Sequence, residues 1–355
     1  MTHATTDQAI APPTDQEAAA VPEPGATSPE GMPMSPTRRV RDFFEDWRGA
    51  KVHHPPLIDD QGQLVGNNGD RLMVLGTDLL YNDLGIERVD DPKQADLLVL
   101  GASGGMLERA KWIPKIFRHL CREFPDIPMC VLPTTFYYPT RPFAEEIGVT
   151  SRAPLTIFCR EPYSYMHLLN EHELPGFASL DVDHDMAFEL ASSPLVRNLK
   201  RVKTDQVVIV ERTDIEHVNV GMDARKMQVR KTVSKKMPPR LKSLLYPAVV
   251  AWRSRRKTPF RRQCEQILSK HHRDARKLPR RVADLSNVNV EPFETFCDDI
   301  ARAEVVFTTR LHVGIFSSLL GRTTYIFGGP YHKIRGIHEF SLSDKNHVTF
   351  LSPEQ

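Results

Sequence analysis

Short apolar runs alternate with longer amphipathic stretches through most of this chain. Ala95–Leu100, Met129–Leu132, Leu155–Cys159, Gln206–Val210, Val305–Thr308 and Thr323–Phe327 have the length and β-branched or aromatic content of buried strands. Between them lie helical patterns. One runs through Leu72, Leu75, Leu79, Leu80 and Leu84 and stops at Gly85. Others span about Met106 to Phe124 and Pro162 to Glu171, and a further one Glu294–Ala303, with Phe296, Ile300 and Ala303 inward. After Leu311 a fifth places Ile315, Phe316, Leu319 and Leu320 on one face and ends at Gly321, where a C-cap belongs. Strand alternating with helix predicts an α/β fold of doubly wound parallel sheets.

Open sheets of this kind bind ligands at the carboxyl ends of their strands. The stretch Val305–Glu339 holds two such strand-to-helix corners, which bring Arg310, His312 and Lys333 to strand ends. Basic side chains at a helix start add to backbone N–H groups that already favour anions. The pattern predicts a site for something small and anionic. Arg212, at the exit of Gln206–Val210, is the counterpart of Arg310.

Composition then sets outer limits. With 355 residues, 40% hydrophobic and 26% charged, the chain has the make-up of a soluble protein with room for two cores. Residues 1–37 read as a disordered tail: up to residue 36 there are seven prolines and five acids but no lysine or arginine. Residues 38–200 and 201–355 are expected as two Rossmann-like domains. The near balance of 47 basic and 45 acidic residues conceals segregation. From Arg225 to Arg281 there are twenty lysines and arginines, against Glu265 and Asp274. This segment, 225–281, reads as a basic insertion. With its apolar patch Leu244–Trp252 it suits contact with an anionic membrane face, and a solvated, partly helical insertion is the alternative. Nucleic acid is disfavoured because no recognised motif accompanies the charge. The five scattered cysteines, without a CxxC, predict reduced thiols and a cytoplasmic protein.

Four further motifs have both a bland and a chemical reading. Gly66-Asn67-Asn68-Gly69-Asp70 is either a turn with a capping Asp70 or a loop receiving substrate at a helix N-terminus. Gly101–Gly105, with Gly104, is either a Gly-rich strand exit or a cradle for a phosphate or sugar hydroxyl. Arg160 ends a strand, where Arg160 and Glu161 could also form a structural ion pair. Asp181, Asp183, His184 and Asp185 suggest metal ligation, but alternate aspartates in an extended segment are not held in a cage. No metal is therefore expected, and the segment reads as a domain junction. No GxGxxG follows a strand, which argues against a dinucleotide-dependent dehydrogenase.

Taken in order, GNNGD at 66–70, Arg160-Glu161 with Ser164, Asp185-Met186-Ala187-Phe188, Arg212-Thr213-Asp214-Ile215-Glu216, Thr309-Arg310-Leu311-His312 with Gly314, and Gly328–Lys333 resemble the polysaccharide pyruvyltransferase family. The resemblance spans roughly Leu64 to Glu339. It implies a GT-B-like arrangement with the site between two Rossmann-like halves, the acceptor on the N-terminal side and the donor on the C-terminal side. It also implies phosphoenolpyruvate as donor substrate, no further cofactor, and a pyruvate ketal on two hydroxyls of a saccharide acceptor, lipid-linked in some settings.

The chemistry of that donor assigns the residues. Its carboxylate and phosphate call for fixed cations, so Arg212 and Arg310 are expected to clamp it, with Lys333 as a third charge. His312 is expected to protonate the methylene carbon, since its ordinary pKa of about 6.5 lets it carry a proton cheaply. The alternative for His312 is a hydrogen-bond donor only. Asp70 is the candidate base for the acceptor hydroxyls, with capping as its alternative. Asn67, Asn68, Gly104 and Arg160 are expected on the acceptor. A GT-B glycosyltransferase using a nucleotide sugar, or a non-catalytic anion-binding relative tethered to a membrane, are the rival readings.

Overall fold

The computed structural model describes residues 31–56, 66–101, 105–108, 110, 112–140, 142–147, 152–171, 174–212, 258–285, 291–329 and 331–352. Most of the expected tail, Gly104, Thr213–Glu216 and the Leu244–Trp252 patch lie outside them.

The strands in chain order are β1 (Lys51–His53), β2 (Glu87–Arg88), β3 (Leu97–Leu100), β4 (Met106–Leu107), β5 (Met129–Thr134), β6 (Phe136–Tyr137), β7 (Leu155–Cys159), β8 (Ala178–Val182), β9 (Gln206–Val210), β10 (Arg280–Val282), β11 (Ala303–Thr308), β12 (Thr323–Phe327) and β13 (Val348–Leu351). The helices are α1 (Val40–Glu45), α2 (Asn68–Leu84), α3 (Trp112–Glu123), α4 (Ala144–Ile147), α5 (Pro162–Glu171), α6 (Pro194–Lys200), α7 (Pro259–His271), α8 (Phe293–Ala301), α9 (Leu311–Leu319) and α10 (Lys333–Ile337). A six-stranded sheet has the order β2-β1-β3-β5-β7-β8, and a five-stranded sheet the order β10-β9-β11-β12-β13. Every described pairing is parallel. Central strands β3, β5, β7 and β9 are buried at every residue, which is why they read as unbroken apolar runs rather than alternating ones.

Two expectations change here. Met106–Phe124 is not one helix: it opens as β4, paired with β6, and α3 starts only at Trp112. The basic segment also does not interrupt the fold as far as Arg281. Its end forms α7 and edge strand β10, with Cys264 and Leu268 buried against the second sheet and Phe260 and Ile267 packed beside them. Net charge masked an apolar stripe. Three of the arginines there are held by acids: Arg261 by Glu211 at 2.9 Å, Arg280 by Glu265 at 3.1 Å, and Arg281 by Asp299 and Glu291 at 2.7 and 2.9 Å.

The two sheets share one apolar core. It runs from Val52, Leu72, Val99 and Phe158 through Met186, Ala187 and Leu190 to Val208, Val306 and Phe316. The elements that join the halves are α2, the 3-10 turn Met186–Ser192 and α9. All five cysteines are free and buried, and among the described residues no helix is long and apolar enough to cross a membrane.

Gly76 marks the closest approach in that core. A Cβ at this position would collide with the Met186 carbonyl oxygen, a backbone atom that cannot swing away. Gly76→Val is therefore expected to lower stability by about 1–3 kcal/mol or more, as overpacked cores do. Thermal unfolding followed by circular dichroism checks this, and an unchanged melting temperature would contradict the packing.

Candidate functional site

The carboxyl ends of both sheets converge on Asp185, just beyond β8. Its neighbours in the junction segment each have a structural partner. Asp181 accepts from the Thr37 hydroxyl at 2.9 Å, Asp183 from the Val40 amide at 2.7 Å and from Arg39 at 3.1 Å, and His184 Nδ1 meets the Ser341 hydroxyl at 2.8 Å. Asp185 Oδ1 caps the 3-10 turn through the Ala187 amide at 2.9 Å. Its other oxygen, Oδ2, receives Arg160 Nη1 at 2.9 Å and faces His312 Nε2 at 3.3 Å. One carboxylate oxygen thus gathers a guanidinium from the first half and an imidazole from the second.

Arg160 has no solvent exposure. Besides Asp185 it donates from Nε to the Thr135 hydroxyl at 2.8 Å, and its Nη1 lies 3.9 Å from Met73 Sδ. Its buried Nη2 has no hydrogen-bond partner among the described residues. A buried N–H of a cation left unmatched is costly and rare in a folded protein. Burial alone would raise the Asp185 carboxyl. The His312 ring, its hydrogen bond and the Arg160 charge overcome this and hold it well below the usual carboxylate range.

His312 sits in the first turn of α9 and packs against the start of α2. A Cβ on Gly69 would strike its ring at Nδ1, so only glycine lets the ring lie there. The start of α2 is a full capping box. Asn67 is the N-cap, its Oδ1 accepting the Gly69 amide at 2.8 Å, while Asp70 Oδ2 accepts the Asn67 backbone and side-chain N–H groups, each at 2.8 Å. Asp70 is partly buried. Burial raises its carboxyl against the pull of His312, the Asn67 amide, Lys333 and Arg160, and this places it within electrostatic reach of all three cationic groups.

The expected donor residues lie at adjacent strand ends. The Arg212 amide donates to Thr309 Oγ1 at 2.8 Å, tying the β9 exit to the β11 exit. Arg310, however, turns one edge of its guanidinium onto Asp284, with Nε–Oδ1 at 3.1 Å and Nη2–Oδ2 at 2.8 Å. The sequence pattern had both arginines facing an anionic guest and did not include this aspartate. Asp284 follows β10, a three-residue strand of two arginines and one valine, too short to carry a clear apolar signal. Lys333 opens α10, its Nζ 6.0 Å from the centre of the Tyr331 ring.

The expected acceptor residues separate. Asn68 is fully buried, and its Nδ2 donates to the Leu285 and Glu291 carbonyls, each at 2.8 Å. It is a strut between the halves rather than an arm toward solvent. Asn67 is spent on the cap, Gly104 lies outside the described residues, and Arg160 stands at the centre, beside the histidine. Its ion pair is with Asp185, not with its neighbour Glu161.

Three groups went unassigned in the sequence: Glu161, Ser164 and His332. Glu161 is buried with Ser164 on it, the hydroxyl and the amide both donating, the latter at 2.9 Å. Burial pushes its carboxyl up to about 7, against those hydrogen bonds and Arg160. His332 Nε2 stands 3.6 Å from Glu161 Oε1. Burial, with the His167 and Arg160 charges, lowers this imidazole to about 3. A polar pair directly after a buried strand was the available signal.

A crystal structure of a functionally uncharacterized protein from Klebsiella pneumoniae subsp. pneumoniae NTUH-K2044 is similar to this chain, with a TM-score of 0.51 and 16% identity over 88% of this chain and 96% of the other. At that identity the likeness speaks for the α/β fold with parallel sheets. No curated protein sequence matches the chain. The family model described as polysaccharide pyruvyl transferase matches residues 34–329, which include both sheets' central strands and every residue gathered around Asp185. The chain belongs to the polysaccharide pyruvyl transferase family and is a transferase.

Proposed function

We propose that this transferase takes its pyruvyl group from phosphoenolpyruvate and sets it as a ketal on two hydroxyls of a saccharide. The observation that carries the reading is the buried Nη2 of Arg160, which lacks a partner and lies beside His312 on the same carboxylate. A planar guanidinium in that position suits the donor's carboxylate. Two parallel sheets joined through Asp185 and His312 support a GT-B-like division, with 38–200 on the acceptor side and 201–355 on the donor side.

In this reading Arg160, expected on the acceptor, instead reaches across the cleft to the donor's carboxylate, and the donor's phosphate meets Arg212, Arg310 and Lys333. Asp284 fixes the plane of Arg310 by its two-point contact, so that cation is held in place before the donor arrives. Gly69 presses the Nδ1 edge of His312 against α2, while Nε2 lies toward Asp185 and Arg160. The proton for the donor's methylene carbon is assigned to Nε2, whose N–H turns from Asp185 to the donor to deliver it. Asp185, ionised, orients the ring and balances its charge. Protonation makes the central carbon cation-like, and the first hydroxyl adds to it, its proton going to Asp70. Phosphate then departs with the electron pair of its C–O bond, and the second hydroxyl closes the ketal. No cofactor is called for. An acceptor on a lipid carrier at the cytoplasmic membrane face would bring the basic segment near anionic headgroups.

Arg310→Ala is expected to weaken phosphoenolpyruvate binding at least about tenfold, read by calorimetry on a variant with unchanged circular dichroism; a loss of that size is ordinary for one charge-assisted contact. Undiminished affinity would remove Arg310 from the clamp. His312→Gln is expected to keep donor affinity but to lower phosphate release by about 10²–10⁴-fold, the span of general acid catalysis. Phosphate release at the wild-type rate would refute the acid assignment.

A further inference from the structure

The scheme above uses one carboxylate–imidazole pair and leaves a second one idle in the same cleft. Glu161 directly follows Arg160, and α10 closes over it. A Cβ on Gly336 would stand 3.0 Å from Glu161 Oε2 and 2.9 Å from the Tyr163 ring, so the helix backbone lies against the carboxylate. Opposite, His332 Nε2 comes to 3.6 Å from Glu161 Oε1. That nitrogen is sealed from solvent and has no hydrogen-bond partner among the described residues. Yet 18% of the His332 side chain stays exposed, so the exposed part lies on other ring atoms. The ring is clasped from the first half of the chain, stacked on Tyr163 at 5.7 Å and 19° and edge-on to Tyr137 at 5.7 Å and 70°.

Burying a carboxylate on Ser164 and the Tyr163 backbone amide is expensive, and an apolar side chain would serve packing better. Among the described residues the charges that act on the pair are few. Arg160 acts on both members and His167 on the imidazole, while the Cys159 thiol is held protonated by burial. Arg335 of α10 is turned away onto Glu339 at 2.7 Å, and Glu339 also accepts the Tyr163 hydroxyl at 2.8 Å. A neutral imidazole can pass a proton on, and the carboxyl beside it, poised near 7, is the acceptor matched to neutral pH.

Ketal formation demands such a group, because two hydroxyls must each lose a proton and Asp70 accounts for one. Resting on the function proposed above, we propose that His332 and Glu161 relay the proton of the second acceptor hydroxyl as the ketal closes. The hydroxyl oxygen bonds to the central carbon, which phosphate has left with its bonding pair. The O–H proton passes to His332 Nδ1, and Nε2 hands its own proton to Glu161 Oε1. The ring ends neutral and Glu161 ends protonated, to be discharged to water or to the departing phosphate. His332 is then a catalytic residue, and Glu161 a positioning residue that acts through it.

The test gives full-length wild type, Glu161→Gln and His332→Gln phosphoenolpyruvate and methyl β-D-galactopyranoside as a diol probe. Phosphate and ketal are followed from about pH 5 to about pH 9, a range that brackets a neutral general base. Wild-type kcat is expected to fall as pH drops below about 7, where Glu161 takes up its proton. Glu161→Gln should lose that limb together with about tenfold in kcat, and His332→Gln about a hundredfold, both with unchanged KM for phosphoenolpyruvate. Glutamine keeps the shape and the Ser164 contacts, so Glu161→Gln should melt no lower than wild type at neutral pH; if it does not fold, His332→Gln decides. Wild-type kcat and pH profile in the folded variants overturn the relay while the donor reading stands. Failure of the wild-type protein to release phosphate overturns the donor reading and the relay with it.

Discussion

The Arg160–Asp185 ion pair, with neither side chain exposed, is what the rest of this molecule depends on. Removing two charges from water costs several kcal/mol per ion, and a buried pair recovers that only with further hydrogen bonds in place. Here they are supplied by Thr135, the Ala187 amide and His312. Asp185 also caps the turn against which Gly76 of α2 packs. One residue therefore anchors the shared core, orients the guanidinium and holds the imidazole. Deleting either charge would leave the other stranded, with fold and site failing together.

Around that pair the two halves contribute opposite partners twice over. Asp185 and Glu161 come from the first sheet, His312 and His332 from the second. The two carboxylates are equally hidden but differ in company. Asp185 has a guanidinium and an imidazole within hydrogen-bond reach and is held low, whereas Glu161 has a serine and is raised to about 7. Environments that drive two like groups apart are how one site can hold a proton in one place and accept one in another. The reaction proposed above, which protonates a carbon and deprotonates two hydroxyls, calls for that division.

Much of the scaffold could be read from the chain. Strands β7 and β9 lie on their apolar runs, because burial on both faces leaves no alternation to confuse the reading. The end of α2 was legible at Gly85, at φ +66°, whereas its start differs: the N-cap is Asn67, and Asp70, expected as the cap, completes the capping box from N3. Edge strands were not. Lys51–His53, Glu87–Arg88 and Arg280–Val282 are short and polar, and only their neighbours make them strands. The same limit applies at the site. Arg310, His312 and Lys333 stand at strand ends as the pattern suggests. The carboxylates that occupy or orient the basic groups could not be foreseen, since Asp185 and His312 are 127 residues apart and meet only through the tertiary fold. Asn67, expected on the acceptor, is taken up by the cap, and the capping reading of Asp70 holds.

The opposed states of the two buried carboxylates can be measured directly by a carbon-13 carboxyl titration of the intact protein. Glu161 is expected to titrate with a midpoint near 7 while Asp185 stays ionised to the lowest pH at which the protein remains folded. Midpoints for both groups in the ordinary carboxylate range, about 4, would contradict it.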